Sequence, residues 1–276
     1  MSDVAPAVGQ GLMAGKKGLV MGVANDHSIA WGIARTLHAH GAQLAFTYQG
    51  EAFRKRVEPL AKSVGADVVL PCNVEDTASL DAVFAALARA WGKVDFVVHT
   101  IAYSDKEELK GRYVDTSAAN FARTLAISCY SFTAVAQRAE VLMTEGGSLL
   151  TLTFHGAERV MPNYNVMGVA KAALEASVRY LAEDLGRKRI RVNAISAGPV
   201  RTLAGSAIGG ARQVLHWSET NAPLRHTPDL VELGGAGLYL LSDLSAGVTG
   251  EIHYVDGGYN VIAIPSAEIL LANGKA

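Results

Sequence analysis

Seven short apolar runs, separated by stretches of helical periodicity, leave few folds open to this chain. Residues 18–21 end at Gly22 and lead into Ile29, Ile33 and Leu37, which recur at helical spacing until Gly41. Residues 43–48, 67–72, 94–100, 148–153, 191–195 and 251–255 read as six further strands. Between them lie Phe53, Val57, Leu60 and Val64, then Leu80, Val83, Phe84 and Leu87, and long helical regions at about 119–143 and 164–185. A polar stretch occupies 104–117, and an insertion with two helices precedes the last strand.

Parallel strands need crossover helices, so this order predicts an α/β fold: a single-domain, doubly wound, Rossmann-type parallel sheet of about seven strands with helices on both faces. The domain is expected to span 1–276, with an N-terminal arm at 1–15, an insertion at about 200–228 that suits a substrate lid, and a tail at about 262–276. A packed small-residue helix explains the insertion equally well. Half the residues are hydrophobic and 18% are charged, which fills a core and excludes a disordered chain. A net charge of −1 offers no footprint for nucleic acid or an acidic membrane. Cys72 and Cys129 cannot form a disulfide framework and no ligand spacing suits a metal, so a reducing cytoplasm is expected. The first 15 residues do not read as a signal peptide, and no run approaches the ~18 apolar residues of a membrane span.

A doubly wound sheet binds ligands at the carboxyl ends of its strands, here the loops that begin at Gly22, Gln49, Cys72, His99, Thr153 and Ala197. The first loop has neither GxGxxG nor a Walker A pattern. Gly22, Ala24 and Ser28 still suit a turn that presents N–H groups and a helix N-terminus to a pyrophosphate, and Gly32 suits close helix–strand packing. An ordinary turn capped by Ser28 reads as well. The second strand ends at Tyr48-Gln49-Gly50-Glu51, and the first basic residue after it is Arg54, which favours NADH over NADPH. Asn73 suits an adenine contact or a plain turn.

The most informative segment runs from Pro162 to Lys171. On a helix, Tyr164 and Lys171 would point within about 20° of each other, roughly 10 Å apart along the axis. A phenol is a poor acid at neutral pH unless a cation stabilises the phenolate, and a lysine on the same face, with an oxidised nicotinamide ring, could supply that charge. The plain alternative is a packed tyrosine and a solvated lysine.

These residues, with Gly22-Val23-Ala24, Ser28-Ile29-Ala30, Gly156-Ala157-Glu158, the Asn193 to Pro199 run, Arg201-Thr202-Leu203 and Val255-Asp256-Gly257-Gly258, make the chain resemble short-chain dehydrogenases/reductases. Within that superfamily it is similar to the bacterial NADH-dependent enoyl-[acyl-carrier-protein] reductases, from Lys17 to about Ile262. The Tyr-x6-Lys spacing carries the distinction, since the wider superfamily has Tyr-x3-Lys. Three added residues move the phenol about 4.5 Å along the axis. It can then meet a thioester oxygen displaced from the carbon that accepts hydride.

The resemblance implies fatty-acid synthesis, acyl carrier protein as partner and a homotetramer. It makes Tyr164 the donor to the thioester oxygen and Lys171 the group that holds the nicotinamide ribose. It implies a cofactor site of Gly22, Ala24, Ser28, Ile29, Gln49, Asn73, Val74, Thr100, Ile101, Lys171, Val200 and Thr202. The acyl site would comprise Ala102, Tyr103, Phe154, Tyr164, Met167, Pro199, Ala204 and Ile208, although Met167 and Ile208 also read as core. Phe154 stands where the family usually has a second Tyr, Ala102 where it often has Gly, and Asn73 where Asp is frequent. His155 beside Phe154 is a candidate replacement donor. A carbonyl reductase on the same scaffold and a weakly active NAD-binding regulator are the competing readings.

Overall fold

All seven apolar runs form strands: β1 (Lys17–Met21), β2 (Gln43–Tyr48), β3 (Val68–Pro71), β4 (Phe96–His99), β5 (Gly147–Thr153), β6 (Ile190–Ala197) and β7 (Ile252–Val255). The computed structural model describes residues 11–203 and 210–266, with Ile269. The strands make one sheet in the order β3-β2-β1-β4-β5-β6-β7, and every neighbouring pair is parallel. The order reverses between β1 and β4, and there the loops at the carboxyl ends part to leave a crevice.

The helices are α1 (Ile29–Ala39), α2 (Glu51–Ser63), α3 (Thr77–Trp91), α4 (Ala118–Leu125), α5 (Ser131–Leu142), α6 (Asn165–Gly186), α7 (Ala211–Asn221) and α8 (Leu230–Leu241). They cover both faces of the sheet. One core joins Leu80, Val83 and Leu87 of α3, Phe132 and Val135 of α5, and Leu174 and Val178 of α6. The other joins Ile33 and Leu37 of α1, Val57 of α2, and Leu233 and Leu240 of α8.

The region at 119–143 is helical as expected, with α4 and α5 joined by a π-helical turn, Ala126–Tyr130. Ser128 in the turn holds the backbone of Tyr103, and Ser131, the first residue of α5, donates its Oγ to Ile127 O at 2.6 Å while meeting His99 Nε2 at 2.8 Å. Wide turns of this kind concentrate at functional sites. Gly32, in turn, serves helix–helix packing rather than helix–strand packing. A Cβ there would stand 2.7 Å from Leu230 O in α8.

Across that contact, a Cβ on Gly234 would collide with Thr36 Oγ1 and stand 3.0 Å from Gly32 O, whereas one on Gly235 would meet nothing within 4 Å. Gly234→Ala is therefore expected to destabilise the protein by about 1–3 kcal/mol. Gly235→Ala, on the exposed side of the same helix, is expected to stabilise it by about 0.5–1 kcal/mol. Urea denaturation of the two variants checks this, and shifts of the same sign would contradict the packing.

Candidate active site

The crevice begins where β1 and β4 meet. Gly22 has φ +96°, and a Cβ there would collide with Thr100, whose hydroxyl donates to Met21 O at 2.8 Å. The turn from β1 therefore passes close to the β4 loop only because residue 22 lacks a side chain. Ser28 occupies the N-cap position of α1, but its side chain does not cap the helix. Its Oγ turns back and accepts from Ala24 N at 3.0 Å and Asn25 N at 3.1 Å. This leaves the opening N–H groups of α1 without a cap from Ser28, as an anion site requires.

Gln49, Asn73 and Val74 gather at the ends of β2 and β3, where Gln49 Nε2 donates to Asn73 Oδ1 at 3.3 Å. Arg54, the first basic residue beyond β2, is paired with Glu58 at 2.6 Å and Glu51 at 3.7 Å on its own helix. The turn itself, Gln49–Gly50, carries no basic residue. A close-packed glycine turn and a neutral corner at Gln49 and Asn73 fit a dinucleotide without a ribose 2′-phosphate. Ile101 and Val74 back the crevice by packing on one core, and Ile29 and Val200 pack on the other. Thr202 N donates to Val200 O at 2.9 Å after β6.

Tyr164 and Lys171 come from the head of α6. The helix opens at Asn165, with Tyr164 at the N-cap in a helical conformation, φ −94° and ψ −28°, and positive-φ asparagines on either side. Both candidate side chains are buried, at 6% and 7% exposure. Lys171 Nζ donates to Leu152 O at 2.7 Å, and burial brings its pKa down to about 8. In the free protein the lysine brings no net lowering of the phenol. Burial first, and the Glu175 carboxylate second, push the Tyr164 phenol upward, so it keeps its proton. It is a hydrogen-bond donor.

Phe154 lies edge-on to Tyr164, with ring centroids 5.2 Å apart, an arrangement worth about 0.5–1.5 kcal/mol beyond its buried area. Met167 joins Tyr164, Leu109 and Val166 in a small apolar cluster. The His155 ring stands edge-on to Tyr259, 5.8 Å away, and its Nδ1 is buried with no hydrogen-bond partner among the described residues. Ala102 and Tyr103 are exposed in the loop after β4, and Pro199 follows β6. Ala204 and Ile208 lie outside the described residues.

Three contributors, Glu175, Leu109 and His99, had no clear signal in the sequence, and a fourth, Gly156, was legible only as part of a motif. Glu175, one turn beyond Lys171, is buried and accepts from Thr153 Oγ1 at 2.6 Å. Leu109, within the stretch read as polar, packs on Tyr164, and Asn165 Nδ2 fixes that loop through Leu109 O at 3.1 Å. Gly156 admits the Tyr164 ring, since a Cβ there would be 2.5 Å from Cδ1. His99, buried beside Thr151 and Ser131, is driven down to a pKa of about 3 by desolvation and stays neutral. Among the described residues, no group of three or more His, Cys, Asp or Glu is placed to hold a metal ion, and no helix is long and apolar enough to cross a membrane.

Comparison with known proteins agrees with this geometry. Residues 22–260 match the family model described as enoyl-(acyl carrier protein) reductase. The chain is 65% identical over 260 residues to enoyl-[acyl-carrier-protein] reductase [NADH] 2 of Rhizobium meliloti strain 1021, covering 94% of this chain and 97% of that one. The crystal structure of FabI from Candidatus Liberibacter asiaticus superposes with a TM-score of 0.91 at 57% identity, covering 93% of this chain and all of that one. The reductase from Anaplasma phagocytophilum, solved in complex with NAD, gives 0.90 at 57% identity over 94% and 97% of the two chains. By Tyr164 seven positions before Lys171 at the head of α6, by the fold that carries them and by these matches, the chain belongs to the enoyl-(acyl carrier protein) reductase family.

Proposed function

We propose that this chain uses NADH to reduce the trans-2 double bond of enoyl thioesters carried on acyl carrier protein, with Tyr164 and Lys171 as its working groups. The observation that carries the reading is a proton-bearing, buried phenol at the mouth of α6 with a buried lysine two turns behind it. NADH, when bound, supplies the hydride that adds to C3 of the enoyl chain. Negative charge then develops on the thioester oxygen, two carbons away.

Tyr164 donates its hydrogen bond to that oxygen, its raised pKa keeping the phenol protonated in the free protein, and a proton from solvent completes C2. Phe154 and Gly156 hold the ring by shape, one at its face and edge and the other by leaving room. Lys171, drawn to Leu152 O in the free protein, serves the hydroxyls of the nicotinamide ribose. Gly22, Ala24, Ser28 and Ile29 surround the pyrophosphate; Gln49, Asn73 and Val74 the adenosine; Thr100, Ile101, Val200 and Thr202 the nicotinamide end. Tyr103, Ala102, Met167 and Pro199 line the acyl path. The exposed apolar side chains of Tyr130, Val141 and Tyr180 support the homotetramer that the resemblance implies. Buried, unpaired Cys72 and Cys129 support a reducing cytoplasm.

Crotonyl thioester should drive NADH oxidation faster than a 3-oxoacyl thioester; the reverse preference would favour a carbonyl reductase. Tyr164→Phe should lower kcat by about 10²–10³-fold, the usual cost of losing one oxyanion donor, while leaving NADH affinity within about twofold. An equal loss in both would remove the phenol from the chemistry.

The pH dependence follows from Lys171. Its proton is lost near pH 8 in the free folded protein but is held to higher pH in the unfolded chain. NADH affinity is therefore expected to fall from about pH 7 to about pH 9.5 while the stability contributed by this residue rises over the same interval. Calorimetric titration and melting curves read the two trends, and Lys171→Met should abolish both. An affinity that stays flat in the wild type would contradict the role assigned to the lysine.

A further inference from the structure

The loops that follow β2, β3 and β4 are joined by a chain of polar contacts that the chemistry above does not use. Asn73 Oδ1 accepts from Gln49 Nε2 at 3.3 Å and from Glu75 N at 3.2 Å. The Glu75 carboxylate receives both prongs of the Arg123 guanidinium, Nε to Oε1 at 2.8 Å and Nη2 to Oε2 at 2.9 Å. The central carbon of that guanidinium stands 4.7 Å from the centroid of the Tyr103 ring. Tyr103 is also pinned by its backbone: its N–H donates to Ser128 Oγ at 2.9 Å, and its carbonyl accepts from the same hydroxyl at 3.0 Å.

The geometry divides the labour. Ser128, in the π-helical turn, fixes where the Tyr103 backbone sits, and Arg123, on α4, fixes where its ring lies. An exposed ion pair by itself contributes little. A two-pronged carboxylate bond leaves the planar guanidinium one orientation, however, and its flat face then offers one position to an aromatic ring. Glu75 is held below the usual carboxylate range by Arg123, so the pair stays charged at neutral pH.

We propose that Arg123 is a positioning residue that couples the adenosine-side loop of the cofactor site to Tyr103 at the mouth of the acyl path. The proposal rests on the assignment of Gln49 and Asn73 to the cofactor and of Tyr103 to the substrate. With Gln49 and Asn73 held against bound NADH, Glu75 is restrained through Asn73, the guanidinium through Glu75, and the aromatic wall of the acyl path through the guanidinium. The linkage is reciprocal: an acyl chain resting on Tyr103 tightens NADH by the factor that NADH tightens the acyl thioester.

NADH fluorescence titrations with and without a saturated acyl thioester, which cannot accept hydride, give that factor directly. The wild-type protein should bind NADH more tightly in the presence of the thioester. Arg123→Ala and Glu75→Gln should each bring the ratio about three- to tenfold closer to one, and the double variant should go no further, as expected for one shared interaction. Arg123→Lys keeps a cation but loses the fork, so it should behave like Arg123→Ala. In turnover, KM for the enoyl thioester should rise with kcat unchanged. A wild-type ratio of one, an unaltered ratio in Arg123→Ala, or additive effects of the two single variants would overturn the coupling. Gln49→Ala separates the two levels: if it leaves NADH affinity unchanged, the cofactor assignment fails; if it weakens NADH while Arg123→Ala keeps the full ratio, only the coupling fails.

Discussion

The active site depends on a clasp between the end of β5 and the first turns of α6. Two consecutive strand residues meet two helix residues one turn apart: Leu152 O accepts from Lys171 Nζ at 2.7 Å, and Thr153 Oγ1 donates to Glu175 at 2.6 Å. Buried charge is costly unless each group is hydrogen-bonded, and here each has a short partner supplied by the strand. The helix cannot rotate or slide without breaking both bonds. Tyr164 at its head and Phe154 just after the strand are thereby brought edge to face, which gives the phenol one place to be.

The opposite wall of the crevice depends on backbone proximity. Gly22 passes against Thr100 at the reversal of strand order, and Ser28 ties Ala24 and Asn25 to the start of α1. The two walls obey different physics: bare backbone and helix amides around Gly22 and Ser28, and buried side chains around Tyr164. A flat, charged nucleotide needs close main-chain approach, whereas charge appearing on one oxygen needs a single well-placed donor.

Much of this was legible in the sequence. The strands could be read because a parallel sheet covered on both faces demands uninterrupted apolar runs, and residues 43–48 became β2 without adjustment. The Tyr164–Lys171 spacing was readable in the sequence, but the left-handed Asn165 that follows Tyr164 at the head of α6 was not. Glu175 was not readable: a glutamate on a long helix looks like part of a solvated face, and only its bond to Thr153 reveals it as buried. The π turn at Ala126–Tyr130 was not readable either: its Ser128 bonds Tyr103, and Ser131 just after it bonds His99, residues distant in sequence. Gly32 announced close packing correctly, but no local pattern could say whether a strand or α8 would be its partner. The polar appearance of 104–117 likewise hid Leu109, a single apolar residue set against the phenol.

Reduction of a conjugated enoyl thioester by this chain would send hydride and proton to different carbons, C3 and C2. Turnover of crotonyl thioester with NADH deuterated at the transferable position, followed by mass spectrometry and NMR of the product, tests it most directly. The account predicts a saturated thioester with deuterium at C3 and a solvent-derived hydrogen at C2. Deuterium at the carbonyl carbon, or at C2, would contradict it.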